Sequence, residues 1–114
     1  MAKDDYFVIV YQILSYLYQC LKKGEAVDPA ALMPESKLFR INEGYWKYIL
    51  VNMTEQGFIK GISMTKAWGG DVVIQNLGGA VITPAGIEYL CENSMMKKVK
   101  DFIKDIRDIV PLPW

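Results

Sequence analysis

The sequence predicts an α+β, mainly helical fold: a winged helix-turn-helix with a long N-terminal helix, a small β hairpin wing and a C-terminal amphipathic helix. In residues 42–62 a helical pattern ends at Gly57, and a β-prone run follows it. In residues 82–93 a β-prone pair runs into Thr83 and Pro84, which suit the N-cap and first position of a helix. The glycine-rich stretch between these segments is typical of a hairpin.

Length and composition predict one globular domain over residues 1–114. Apolar residues make up 52% of the chain and charged residues 23%, which argues against extended disorder. The N-terminus lacks the features of a signal peptide, so we expect a cytoplasmic protein. Cys20 and Cys91 fall in predicted helices, and we expect both to be free thiols in the core.

The first predicted helix covers residues 6–21, a run without any charge. Asp4 or Asp5 caps its start, and two lysines followed by Gly24 mark its end. The run is too short and too rich in glutamine and tyrosine for a membrane span, which needs about 20 apolar residues. Its nearly all-round apolarity predicts a central core helix or, alternatively, a helix at a dimer seam.

The second and third helices follow two further capping signals. Asp28 and Pro29 start a short second helix that ends before Pro34, and residues 35–40 form either a loop or a further turn. Asn42 is the predicted N-cap of the third helix, with Ile41 and Trp46 as a hydrophobic staple.

Helical periodicity divides the third helix into two faces. The predicted buried stripe is Trp46, Ile49, Leu50 and Met53. The predicted outward face is Lys47, Tyr48, Val51, Asn52 and Glu55, with Tyr45 near the boundary. In a winged helix this outward face is the one that would enter a DNA major groove.

Residues 63–80 are predicted to form the wing. Glycine pairs at residues 69–70 and 78–79 mark turns, and residues 72–74 are β-branched. A strand over residues 58–64 would pair with residues 72–75, with residues 80–82, or with both. Lys66 and Trp68 lie near the predicted tip and are the wing's candidate contact residues.

Two helices are predicted in the C-terminal third. Thr83 caps the fourth, whose inner stripe is Ile87, Leu90 and Cys91. Ser94 is the predicted cap of the last helix, over about residues 95–110, which packs on the first helix or pairs with a second subunit. Its apolar stripe is Val99, Phe102, Ile103, Ile106, Ile109 and Val110, and its i,i+4 ion pairs are Lys97 with Asp101 and Lys104 with Asp108.

Charge offers little support for nucleic-acid binding. The chain has 13 basic and 13 acidic residues, and the balance holds within residues 1–42, 43–83 and 84–114 taken separately. Because DNA affinity depends on cations that neutralise phosphates, a DNA-binding protein usually concentrates them on one face. Sequence alone shows no such concentration.

Three segments resemble the YjcQ-type family of small bacterial and prophage proteins. These are Asn42-Glu43-Gly44-Tyr45-Trp46-Lys47-Tyr48-Ile49-Leu50, Glu55-Gln56-Gly57-Phe58-Ile59-Lys60-Gly61-Ile62 and Ile82-Thr83-Pro84-Ala85-Gly86-Ile87-Glu88-Tyr89-Leu90-Cys91-Glu92-Asn93-Ser94. The resemblance implies a winged-helix fold and a cytoplasmic setting. It implies no catalytic residues, since the shared motifs are caps, staples and turn glycines.

Catalysis is not expected. The chain has no histidine, its two cysteines are far apart, and it has no phosphate-binding or dinucleotide glycine motif. We therefore predict no catalytic residues, no metal site and no cofactor.

Three functional hypotheses follow. The first, favoured on the commonest use of the fold, is a dimeric DNA-binding transcriptional regulator. The second is a winged-helix protein-interaction module, and the third is an adaptor in phage or mobile-element biology. Candidate contact residues to DNA or to a protein partner are Tyr45, Lys47, Tyr48, Val51, Asn52, Lys66 and Trp68.

Overall fold

The computed structural model describes residues 1–105 and confirms the α+β, mainly helical class. Within these residues there are four α-helices and two antiparallel two-stranded sheets. The arrangement is compatible with the predicted winged helix. In chain order the elements are α1 (Tyr6–Lys23), α2 (Glu43–Glu55), β1 (Ile59–Lys60), β2 (Ser63–Lys66), β3 (Val72–Gln75), β4 (Val81–Ile82), α3 (Pro84–Glu92) and α4 (Ser94–Lys104).

Helix α1 is the centre of the core, as predicted. It packs against α2, α3, α4 and β4, and most of its side chains are buried, including Ile9 and Leu14. Gly24 ends it in the left-handed conformation, at φ 67°. Asp5 occupies the N-cap position, but its Oδ2 accepts a hydrogen bond from the Ala2 N–H at 2.8 Å and does not cap the helix.

The predicted second helix is a single 3₁₀ turn, Pro29–Leu32, capped by Asp28 Oδ1, which accepts from the Ala30 N–H at 3.0 Å. The ambiguous residues 35–40 form a tight loop closed by an antiparallel bridge between Glu35 and Arg40. This loop leads directly into α2.

Helix α2 has the predicted cap and the predicted buried stripe. Asn42 Oδ1 accepts from the Tyr45 N–H at 2.8 Å, and the staple residues Ile41 and Trp46 are both buried. The indole N–H of Trp46 also donates to the Leu32 carbonyl at 2.7 Å, which fixes α2 against the 3₁₀ turn. The buried side chains of α2 are Trp46, Ile49, Leu50 and Met53.

Both of the predicted strand pairings occur, because the chain changes partner at Gly61. Strand β1 pairs with β4, and β2 pairs with β3 to form the wing hairpin. Gly61 has a φ of 92°, and a Cβ on it would collide with the Gly79 carbonyl oxygen. Only glycine can therefore make this break without moving the neighbouring backbone.

The C-terminal helices confirm one predicted cap and correct another. Thr83 Oγ1 accepts from the Gly86 N–H at 3.0 Å and donates to the Gly57 carbonyl. The cap of α4 is Asn93 and not Ser94. Asn93 Oδ1 accepts hydrogen bonds from the backbone N–H groups of Met95 and Met96.

Two further expectations for this region were wrong. Cys91 is exposed and does not belong to the inner stripe of α3, whereas Leu90 is buried as predicted and Ile87 is half-buried. Cys20 is buried as expected. Among residues 1–105 no ion pair joins Lys97 to Asp101, and both side chains are exposed.

Helix α4 packs against α1 and α3 of its own chain, with Met96 and Val99 fully buried. This packing corresponds to the first of the two predicted roles of the last helix. The predicted helical positions Ile106, Asp108, Ile109 and Val110 lie outside the described residues.

Candidate interaction surface

The outward face of α2 is open to solvent, as the sequence predicts. Tyr48 is 60% exposed, Glu55 is exposed, and Tyr45, Val51 and Asn52 are half-buried. The wing hairpin is also present. The two structural requirements of the predicted contact surface are therefore met.

The polar candidates on this face are already engaged within the helix. Lys47 Nζ lies 3.7 Å from Glu43 Oε1, and Asn52 Nδ2 donates to the Tyr48 carbonyl at 2.7 Å. Because Glu43 and Glu55 also occupy this face, α2 offers little free positive charge.

Aromatic side chains adjoin this face on its α1 and α3 sides. The Tyr6 ring contacts the Phe7 ring at 5.1 Å and the Tyr48 ring at 6.0 Å between centroids, both edge to face. On α3, Tyr89 stacks on Phe58 at 4.4 Å. We call the set the aromatic patch: Tyr6, Phe7, Tyr45, Tyr48, Phe58 and Tyr89.

Two tyrosines of the aromatic patch, Tyr6 and Tyr45, have raised pKa values. Burial raises the pKa of Tyr6, and the nearby hydroxyls of Tyr48 and Tyr89 raise it further. Burial, followed by the carboxylates of Asp4 and Asp5, raises the pKa of Tyr45, whose hydroxyl donates to the Asp4 carbonyl at 2.7 Å. Because their pKa values are raised, the phenols of Tyr6 and Tyr45 stay protonated and uncharged at neutral pH.

The wing carries the two remaining sequence candidates. Trp68 is 100% exposed at the hairpin tip, and Lys66, opposite Val72 in the register, is exposed next to it. The Trp68 indole contributes no hydrophobic stabilisation to this fold, since it buries no surface within the chain.

A groove of about 580 Å³ separates the wing from the N-terminal half of α2. Its lining places Lys47, one of the sequence candidates on α2, beside strand β3 of the wing. The lining residues are Met33, Pro34, Glu35, Ile41, Asn42, Glu43, Trp46, Lys47, Val73 and Ile74.

The profile of the YjcQ protein family matches residues 11–109. The chain belongs to the YjcQ protein family. The match spans α1 to α4 and so includes α2, the wing and most of the aromatic patch, which confirms the resemblance stated from sequence. No curated protein and no solved structure matched this YjcQ-family chain. None of the helices within residues 1–105 is long and apolar enough to cross a membrane.

Sequence reasoning found the α2 face of this YjcQ-family protein but missed the residues beside it. Tyr6 and Phe7 belong to a helix that is apolar on nearly all sides, so periodicity gave no signal that this end stays partly exposed. Met33, which is 43% exposed on the groove, and the wing residues Val73 and Ile74 were likewise not predicted as contact residues.

Proposed function

We propose that this protein is a non-catalytic interaction module that binds a protein partner through the aromatic patch and the outward face of α2. The observation that carries the proposal is the patch itself, a group of six partly exposed aromatic rings beside a helix face with no free cation. Protein interfaces are enriched in Tyr and Phe and depleted of charge at their centres. Tyr48 is the expected anchor, because it is the most exposed ring of the patch.

Electrostatics favours a protein partner over duplex DNA. A DNA-reading helix gains affinity when its cations displace counterions from phosphates. On α2 the cation Lys47 is paired with Glu43, and Glu55 adds a second carboxylate. A duplex placed against this face would meet more negative than positive charge.

The second candidate is a DNA-binding transcriptional regulator of winged-helix type, and the position of the wing favours it. The groove brings α2 and β3 to one side, so that α2 could enter a major groove while Lys66 and Trp68 reach the backbone. In that case Lys47 and Asn52 would leave their present partners to contact phosphate or base edges. A phage or mobile-element setting is compatible with either candidate.

Site-specific photo-crosslinking in the native host tests the proposal directly. A photoreactive amino acid replaces Tyr48, and the matched control replaces Lys98, an exposed residue on α4. We expect a discrete adduct from position 48 that protease removes and nuclease does not, and no such adduct from position 98. A nuclease-sensitive adduct from position 48, or equal labelling from both positions, would contradict the proposal.

A salt titration of duplex binding tests the second candidate. If DNA is the ligand, the logarithm of the binding constant falls steeply with the logarithm of salt concentration. Lys66→Ala should then reduce that slope by about 1, while Lys98→Ala leaves it unchanged. Salt-dependent duplex binding with this pattern would replace the protein-partner proposal.

A further inference from the structure

The tip of the wing presents a tryptophan on a turn that is held by its own backbone. Trp68 is 100% exposed. The Ala67 N–H donates to the Asp71 carbonyl at 2.6 Å, and Gly69 and Gly70 take the positive φ values of the turn. Tryptophan is enriched among the residues that contribute most to binding at interfaces. Because the turn is closed before any partner binds, the whole area of the indole is available for a contact at low ordering cost.

The groove between the wing and α2 has walls that suit an indole. Its volume of about 580 Å³ is within the range of sites for drug-sized molecules, so it has room for one indole. Its accessible apolar wall consists of Met33, which is 43% exposed, and half-buried Pro34, Val73 and Ile74. A thioether such as that of Met33 makes favourable contacts with aromatic rings. The groove therefore still has apolar area that an indole can bury.

The tip and the groove belong to one hairpin, and this relation makes a second copy of the chain the fitting occupant. Trp68 lies beyond the last pair of the hairpin, Lys66 with Val72, and the wall of the groove starts at the next residue of β3, Val73. When two such hairpins lie antiparallel about a twofold axis, the tip of each reaches the body of the other. Both contacts then form together, as an isologous dimer requires.

The charges beside the tip and the groove are complementary. Lys66 is exposed two residues before Trp68, and Glu35 is exposed on the groove. Within residues 1–105 neither Lys66 nor Glu35 forms an ion pair. The other two charges on the groove, Glu43 and Lys47, already pair with each other. A cation beside the indole would therefore meet an unpaired carboxylate, which favours this orientation of the two copies.

The area that this contact buries is close to what a specific dimer needs. A buried tryptophan covers about 200 Å², so two indoles and the groove walls beneath them bury about 800 Å² in all. The flanking parts of the two wings bring the total toward the about 1,000 Å² of the smallest specific interfaces. We therefore expect a reversible dimer and not a permanent one.

We infer that this protein forms a reversible homodimer in which Trp68 of each copy occupies the groove between α2 and the wing of the other copy. Lys66 of each copy lies beside Glu35 of the other. No residue of the aromatic patch lines the groove, so the inference does not depend on the partner proposed for that patch.

Sedimentation equilibrium of the full chain, from micromolar to millimolar concentration, tests the dimer. We expect a monomer–dimer equilibrium that Trp68→Ala weakens about tenfold or more. Trp68 buries no surface within the chain, so the variant should keep the circular dichroism spectrum of the wild type. Tyr48→Ala is the matched control, because it removes an exposed ring outside the groove and should change dimerisation by no more than about twofold. A wild type that stays monomeric at millimolar concentration, or equal losses in the two variants, would overturn the inference.

Charge reversal tests the orientation of the two copies. Lys66→Glu should weaken the dimer about fivefold or more, because two carboxylates then face each other. Adding Glu35→Lys to the same chain should restore dimerisation to within about twofold of the wild type. Lys98→Glu makes the same change of charge on an exposed position of α4 and should have little effect. If Glu35→Lys fails to restore the dimer of Lys66→Glu, the tip does not lie in this groove.

Disulfide trapping locates the tip directly. Chains carrying Trp68→Cys are mixed with chains carrying Met33→Cys, and Cys91→Ser in both removes the exposed native thiol. The Met33→Cys chain keeps its own Trp68, so one of the two contacts of the mixed dimer stays intact. We expect mild oxidation to join the two chains, and to do so far less when Lys98→Cys replaces Met33→Cys. Equal trapping at positions 33 and 98 would refute the proposed contact.

Discussion

Gly86 marks the closest approach of α3 to the chain that precedes the wing. A Cβ at this position would collide with the Phe58 carbonyl oxygen and lie 2.8 Å from Ile82 Cγ1. Because the first turn of α3 lies directly against the Phe58 backbone, this short helix is close enough to the core for Leu90 to be buried. Packing at one residue therefore sets how α3 docks on the β1 and β4 pair.

Gly86→Ala is expected to destabilise the protein by about 1–3 kcal/mol or more, because the obstructing atom is main chain and cannot rotate away. Urea unfolding of the purified variant gives the measurement. Gly44→Ala is the matched control: its Cβ would meet only Asn42 Oδ1 at 3.4 Å, and alanine gains about 0.5–1 kcal/mol of helix propensity. Equal stability changes in the two variants would show that Gly86 is not a tight contact.

Caps were the residue-scale feature most accessible from sequence. Asp28, Asn42 and Thr83 all accept the hydrogen bonds predicted for them. Asn93 was missed in favour of Ser94 because both residue types cap helices well. The structure decides between them: the Asn93 N–H bonds to the Tyr89 carbonyl to finish α3, while its side chain starts α4.

At the scale of elements, α4 packs against both α1 and α3. Its buried side chains within the described part of the chain are Met96 and Val99, and Phe102 and Ile103 are half-buried. The strong amphipathicity predicted for this helix is correct, but pattern alone could not distinguish packing on α1 from packing on a second subunit. The single chain shows α4 packed on α1 and α3, and its pairing with a second subunit stays a prediction.

Met96→Ala is expected to cost about 2–5 kcal/mol, because it removes a fully buried side chain from the junction of α1 and α4. Chemical denaturation gives the free energy of unfolding. Lys98→Ala, on the exposed side of the same helix, should change it by no more than about 0.5 kcal/mol. A loss below about 1 kcal/mol for Met96→Ala would mean that α4 contributes little to the domain.

In the wing region, Gly61 divides a run of residues that the sequence pattern predicts as one continuous strand. The β-prone run over residues 58–64 reads as one strand with two alternative partners. Gly61 splits it, and Asn76 Nδ2 holds the split by donating to the Gly61 carbonyl at 2.8 Å. The run consequently serves β1 in the core and β2 in the exposed hairpin.

At the scale of the whole molecule, burial raises the pKa of four tyrosines: Tyr6, Tyr16, Tyr45 and Tyr89. Unfolded tyrosines ionise near their ordinary pKa of about 10, before the folded ones. Above that pH the unfolded state binds fewer protons than the folded state, so stability falls as pH rises. The contribution of these residues is complete below about pH 10 and is lost as pH passes through the raised folded pKa values.

The free energy of unfolding is therefore expected to decrease as pH rises above about 10, a change that measurements from about pH 9 to about pH 11 would follow. Urea titrations across this range, with tyrosinate absorbance recorded in parallel, give the measurement. Tyr89→Phe removes one titrating group and should make the decrease shallower. A stability that is constant across this range would contradict the raised tyrosine pKa values.

Charge at the molecular scale is rearranged by folding. The sequence has no net charge and no basic block, yet Lys22, Lys97 and Lys100 line one pocket while aromatic rings gather beside α2. Residues separated by more than seventy positions become neighbours when α4 packs on α1. A sequence with equal numbers of basic and acidic residues can therefore fold into a protein that has a lysine-lined surface and a separate aromatic surface.

The sequence by itself determined the α-helices, the caps at Asp28, Asn42 and Thr83, the buried stripe of α2 and the presence of a hairpin, since each depends on residues within about one element of each other. Only the tertiary structure decided which end of α1 remains exposed, that Cys91 faces solvent, and that lysines of α1 and α4 share a pocket. A helix that is apolar on all sides does not encode which neighbour covers each side. Which neighbour covers each side of α1 depends on how the shapes of several elements fit together, and this is settled only when they pack.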